Sequence, residues 1–142
     1  MSDPVAPEVS MAKALEAALK SIDPAMLTAL ENVSFTPPAV TVAYQEVIHV
    51  LATPDNAEKG GSTFLQTGYM QVILRFPGAK GKGAAWACAR AIRSLFKAEA
   101  SFEADGITTN IGLTPRILPG SNDTDGRYVL TVRVPFNAEL PN

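Results

Sequence analysis

The chain has 142 residues, 46% of them hydrophobic, with twelve Lys and Arg against fourteen Asp and Glu for a formal charge of −2. That length suits a single domain, which buries roughly 70% of its unfolded surface, and the charge balance excludes the broad positive field on which non-specific DNA binding draws. A lone cysteine, Cys88, excludes an intramolecular disulfide, and no stretch reads as a signal peptide or a membrane span, so the expectation is a soluble protein made in a cytoplasm.

A first helix is expected from Pro7 or Ser10 to Ser21, because Met11, Leu15, Ala18, Leu19 and Ile22 recur at spacings of three and four. Asp23-Pro24 stops it and can restart a short helix through about Glu31, with Asp23 as N-cap and Met26, Leu27 and Leu30 buried. Thr36-Pro37-Pro38 then forces an extended entry into a strand over Val40 to Leu51. Its core face is read as Val40, Val42, Tyr44, Ile48 and Val50, with Gln45, Val47, His49 and Leu51 opposite. Residues 53–66 are too long and turn-rich for a tight hairpin and are expected as an extended loop.

A second strand follows from Gly68 to Phe76, with Met70, Val72, Leu74 and Phe76 inward. The hydrophobic period then switches from two to about 3.6 across Pro77-Gly-Ala-Lys-Gly-Lys-Gly83, so the strand feeds a helix through a tight cationic loop. Ala85, Cys88, Ala89, Ile92, Leu95 and Phe96 form its apolar stripe, ending near Lys97 or Ala98. A third strand is expected from Ile107 to Pro115, with Ile107, Ile111 and Leu113 inward, and a fourth from Arg127 to Phe136, with Tyr128, Leu130, Val132, Val134 and Phe136 inward. Leu118 to Gly126 between them reads as an acidic turn-forming loop. The order αα-ββ-α-ββ predicts an α+β domain over residues 1–142: a four-stranded antiparallel or mixed sheet with helices packed on one face, and flexible ends at 1–8 and 138–142.

No catalytic set emerges. The sole histidine, His49, has no second histidine or carboxylate pair near it in sequence, no serine sits in a nucleophile elbow, and Asp123-Thr-Asp125 lacks the rest of a calcium loop. Gly78-Ala-Lys-Gly-Lys-Gly83 resembles a phosphate-binding loop only in part, because Ala84 and Ala85 stand where a Ser or Thr would hold magnesium. No cofactor or metal is expected. An anion-binding enzyme or regulator using loop 78–83 is the rival reading from another functional class.

The candidate residues are those of a partner surface. Lys80 and Lys82 near a helix start oppose the macrodipole unless an acidic group lies nearby, which an acidic partner could supply. Trp86, Arg90, Arg93 and Lys97 form a second helical stripe of residue types common at interfaces. Asp123 and Asp125 offer a separate acidic loop, so the two patches could meet head to tail between subunits. The outward strand residues Val47, Leu51, Tyr69, Ile73 and Val129, interleaved with Gln71, Arg75, Thr131 and Arg133, also suit an interface.

Taken together, Glu31-Asn-Val-Ser-Phe-Thr-Pro-Pro38, Tyr44-Gln-Glu-Val-Ile-His-Val-Leu51, Gly68-Tyr-Met-Gln-Val, Pro77-Gly-Ala-Lys-Gly, Ala91-Ile-Arg-Ser-Leu-Phe96 and Tyr128-Val-Leu-Thr-Val-Arg-Val-Pro-Phe136 resemble the bacteriophage tail-terminator-like family. The resemblance spans about residues 8 to 138. It implies a non-enzymatic, virion-assembly subunit that caps the completed tail tube as a ring, six-membered where tails do not contract, and presents a surface for head joining. Its implied partners are further copies of the chain, monomeric in solution until they meet the tube, together with the tail tube protein and a head-completion or connector protein. Neither a membrane nor sequence-specific nucleic acid is among them. The implied locations are the host bacterial cytoplasm during assembly and the virion tail, and a head-tail connector is the alternative within assembly proteins.

Overall fold

The computed structural model describes residues 5–56 and 61–141. Helix α1 spans Pro7–Ile22, with Pro7 at its first position, Glu8 in the first turn and Lys20 in the last, each suited to the local helix geometry and dipole. It buries Met11, Ala14, Leu15 and Leu19. Strands β1 (Leu27–Ala29), β2 (Tyr44–Leu51) and β3 (Thr63–Phe76) follow, then helix α2 (Gly83–Leu95). The remainder is strand: β4 (Ser101–Ala104), β5 (Ile107–Ile111), β6 (Arg116–Ile117), β7 (Ser121–Asn122) and β8 (Tyr128–Pro141).

The expected four-stranded sheet with helices packed on one face is replaced by a mostly β molecule. Eight strands form one mixed sheet in the order β1-β2-β3-β8-β5-β4, with β6 and β7 also pairing with β8, and two helices accompany it. Its spine is the antiparallel pair β3 and β8, in register along their whole length from Thr63 opposite Pro141 to Phe76 opposite Tyr128. The inner residues of that pair, Met70, Val72, Leu74, Leu130, Val132, Val134, Phe136, Ala138 and Leu140, join the apolar stripes of both helices in one core. Fully burying a Val, Leu, Phe or Met side chain of this set is worth about 1.5–3 kcal/mol, and Ala138 less.

The expected second helix is instead a turn followed by β1. The Asp23 carboxylate accepts the Ala25 N–H at 3.1 Å, and Leu27-Thr28-Ala29 then pairs in parallel with Tyr44-Gln45-Glu46. In β2 the core face is the opposite of the one expected: Val47 is 2% exposed, while Ile48 and Val50 point away from the core at 38% and 40%. Register dictates this, because Gln45, Val47 and His49 stand opposite Leu74, Val72 and Met70 of the buried face of β3. Val40 and Val42 precede the strand and are exposed.

Strand β3 begins at Thr63, inside the loop expected over 53–66, and Asp55 forms a bridge with Leu65; residues 57–60 of that loop lie outside the described residues. The expected third strand stops at Ile111, and Leu113 is exposed rather than inward. Strand β8 continues past Phe136 and buries Ala138 and Leu140, where a flexible end had been expected. Of the flexible start expected over 1–8, residues 1–4 lie outside the described residues, as does 142, whereas Pro7 and Glu8 belong to α1.

Candidate functional site

The glycine-rich junction is built by a close backbone crossing. A Cβ on Gly78 would lie 1.8 Å from the carbonyl oxygen of Gly126, so only glycine lets the loop after β3 cross the loop before β8. Beyond the crossing, Lys80 and Lys82 are exposed, and Lys82 takes the N-cap position of α2 with no side-chain cap and no acidic residue in the first helical turn. Neither lysine makes an ion pair among the described residues. Their charge therefore faces the positive helix end uncompensated. Lys80 and Asp125 line the same shallow groove of about 380 Å³, along with Val40, Thr41 and Arg127. The basic loop and the acidic loop are thus neighbours on one end of the molecule.

Asp123 is committed within its own chain. Its carboxylate accepts the backbone N–H groups of Asp125 and Arg127, each at 2.9 Å, and pairs with the Arg75 guanidinium at 2.9 Å. Arg75 also binds Glu46, so β2, β3 and the loop before β8 share one charged network. Desolvation opposes the charged form of Asp123, but the Arg127 and Asp125 N–H groups and then Arg75 outweigh it and hold the carboxyl below its usual range. Trp86 is half-buried and donates its indole N–H to the Tyr128 hydroxyl at 3.2 Å, while Arg93 donates to the Pro115 carbonyl at 3.1 Å. Of the seven candidate residues, Lys80, Lys82, Arg90 and Asp125 are exposed, whereas Trp86, Arg93 and Asp123 have contacts that hold the fold.

Arg127 sits beneath the same groove. Although read from the sequence only as the start of a strand, it is 2% exposed. Its guanidinium lies 4.8 Å from the centre of the Tyr44 ring and donates to the Pro38 carbonyl at 2.6 Å, tying the proline segment to the sheet.

At the far end of the sheet, α1 and β2 enclose a larger groove of about 470 Å³ that the sequence did not reveal. Its walls include Val9, Met11, Leu51 and Phe136, and Glu8, Glu16, Glu31 and Lys13 surround them. His49 lies here, on the core side of β2 rather than on the outward face expected for it, with Nε2 2.8 Å from the Glu16 carboxylate. Glu31 accepts the His49 backbone N–H. Lys13 is already paired with Asp105 at 3.6 Å, so the rim is acidic on balance. The legible part of this signal was Glu8-Ala12-Glu16 at helical spacing of four; the link to Glu31 and His49 depends on the β1–β2 pairing.

The outer face of the sheet carries Ile48, Val50, Tyr69 and Ile73, with the Arg133 guanidinium 5.2 Å from the centre of the Tyr69 ring. Val47, assigned to this face from the sequence, belongs to the core, and Leu51 lines the acidic groove. Among the described residues no group of three His, Cys, Asp or Glu could hold a metal ion, and no helix is long and apolar enough to cross a membrane. Burial, followed by the charge of Asp23, pushes the Cys88 thiol up, which disfavours the reactive thiolate.

Comparison with known proteins places these surfaces in context. A family model described as phage tail terminator protein matches residues 10–136. No curated protein sequence matches significantly. Among solved structures, one aligns with a TM-score of 0.67 at 18% identity, over 95% of this chain and 94% of that one. A second, from the virion of a native gene transfer agent particle, aligns with a TM-score of 0.53 at 15% identity, over 98% of this chain and all of that one. At such identities the two structures establish likeness of fold.

Proposed function

The chain belongs to the phage tail terminator family and is a structural protein of the phage tail, and from that premise we propose that it closes the completed tail tube as a ring and presents a surface on which the head is joined. The observation that carries this reading is the family match across residues 10–136, which takes in most of α1, all of α2 and β3, and β8 as far as Phe136. The molecule's distinct features lie on its exterior: an exposed basic loop, an acidic groove at the opposite end, and a sheet face of mixed apolar and charged residues. A tube grows because each ring presents a face complementary to the next, and a cap stops growth by matching on one side only. The solved gene transfer agent virion, which contains a chain of this fold, is consistent with a place in an assembled particle.

The test is tube growth with and without the purified chain, followed by electron microscopy of tube length and of head attachment. Capping gives tubes of defined length, each ending in a ring, which then accept heads. Tubes that grow equally long with and without the chain would refute the reading.

A further inference from the structure

We propose that neighbouring subunits meet by seating the Lys80–Lys82 loop of one copy in the acidic groove between α1 and β2 of the next; this rests on the ring reading above. The groove has two chemistries that match the two halves of a lysine. Its walls offer Val9, 56% exposed, and Leu51, 46% exposed, on which methylene stems can lie. Around them stand the carboxylates of Glu8, of Glu16, one oxygen of which is shared with the His49 ring, and of Glu31, one oxygen of which is shared with the His49 backbone N–H, and the one lysine nearby is paired with Asp105. The same chain carries the complementary piece, since Lys80 and Lys82 are exposed on a projecting loop without an ion-pair partner among the described residues. Carboxylates brought to the start of α2 would also relieve the unfavourable placement of those lysines against the helix dipole.

Geometry makes the contact intermolecular and head to tail. The groove lies beside Leu51, the last residue of β2, which pairs with Gly68 partway along β3, whereas the basic loop follows Phe76, the last residue of β3. Those eight strand steps separate the two by about 27 Å, too far for one chain to satisfy itself. Two different, well-separated patches on a subunit generate a ring when the rotation between copies closes. The basic loop and the Asp123–Asp125 loop cannot play that part together, because they share one end of the molecule.

Zero-length carbodiimide coupling, which joins an amine to a carboxylate in direct contact, tests this on an equal mixture of isotopically light and heavy chains assembled on tail tubes. Mixed-isotope cross-links from Lys80 or Lys82 to Glu8 or Glu31 are expected, with Lys13–Asp105 as the intrachain control. Rings that form while cross-linking elsewhere would overturn the contact and leave the capping reading intact; a parent chain that forms no ring on tubes would overturn the capping reading itself. Charge reversal gives a second readout. The variants K80E/K82E and E8K/E31K, each checked for folding by circular dichroism, should need at least tenfold more protein to assemble alone, whereas their equal mixture should assemble like the parent, because in an alternating ring a reversed loop meets a reversed groove and an unaltered loop meets an unaltered groove, so that opposite charges face each other at every contact. Assembly of either folded variant at the parent's concentration, or no recovery on mixing, would sink the proposal, and the parent's cross-links decide the matter if a variant does not fold.

Discussion

Gly78 in the loop after β3 and Gly83 at the start of α2 lie five residues apart and answer to different constraints. At Gly78 the obstacle is backbone, the Gly126 carbonyl, which cannot swing aside as a side chain would. Gly78→Ala should cost about 1–3 kcal/mol or more, as overpacking against a fixed neighbour does. Gly83 has open space around its Cβ direction and begins α2, so Gly83→Ala should stabilise by about 0.4–1 kcal/mol. Denaturant midpoints of the two variants should therefore move in opposite directions from the parent. Asp123 sets the acid limit of the same region. Its native carboxyl titrates below the unfolded value of about 3.9, so its contribution is complete above that value and fades as pH falls through the lowered native one. Asp123→Asn should lower the thermal midpoint at pH 7 and converge on the parent under strongly acidic conditions. An offset that stays constant with pH would assign the effect to geometry rather than charge.

The β4–β5 hairpin carries the clearest local signal in the chain. Asp105-Gly106 joins the strands with both residues at positive φ, 52° and 79°, the two-residue turn for which Asp-Gly is favoured. Asp105 also accepts a hydrogen bond from Ser10 at 3.0 Å and so fixes the hairpin to α1. Gly106→Ala should cost about 1–2 kcal/mol through the left-handed backbone alone, and hydrogen exchange should show the loss first in residues 101–111. The reading from sequence opened a strand at Ile107 without this turn, and β4 was missed with it because Ser101-Phe-Glu-Ala104 is short and half exposed. The elements read correctly in kind are α1, α2, β2, β3, β5 and β8, and of these α1, α2, β3 and β8 have an apolar period long enough to specify a face as well. Strand β2 was read on the wrong face because Ile48 and Val50 are as apolar as Val47, and only pairing with β3 decides which side is buried. Strand β1 was read as helix because Asp23-Pro24 suits a helix start and a turn equally well, and its three residues become a strand only by pairing with β2. The basic loop of the candidate site could be read locally, whereas the acidic groove draws on α1, residue 31 and two strands, a grouping that no local pattern contains.

A formal charge of −2 conceals a polar distribution across the whole subunit, with unpaired lysines at one end and an acidic-rimmed groove at the other. Contacts between exposed opposite charges are steered and stabilised at low salt and screened at high salt, as the Debye length shrinks from about 10 Å at 0.1 M to about 3 Å at 1 M. Association driven by the apolar part of the sheet face would respond otherwise, since burial of Ile48, Val50 and Tyr69 gains from salts that are excluded from protein surfaces. Ring formation through the groove should therefore weaken by about tenfold or more between 0.1 M and 1 M sodium chloride, while a sheet-face contact should hold or strengthen in sodium sulfate. Light scattering on tube-bound and free chain across both salts separates the two. Weakening in chloride that is abolished by E8K/E31K would assign the salt response to the groove. The same weakening in that variant would place the charged contact elsewhere on the molecule.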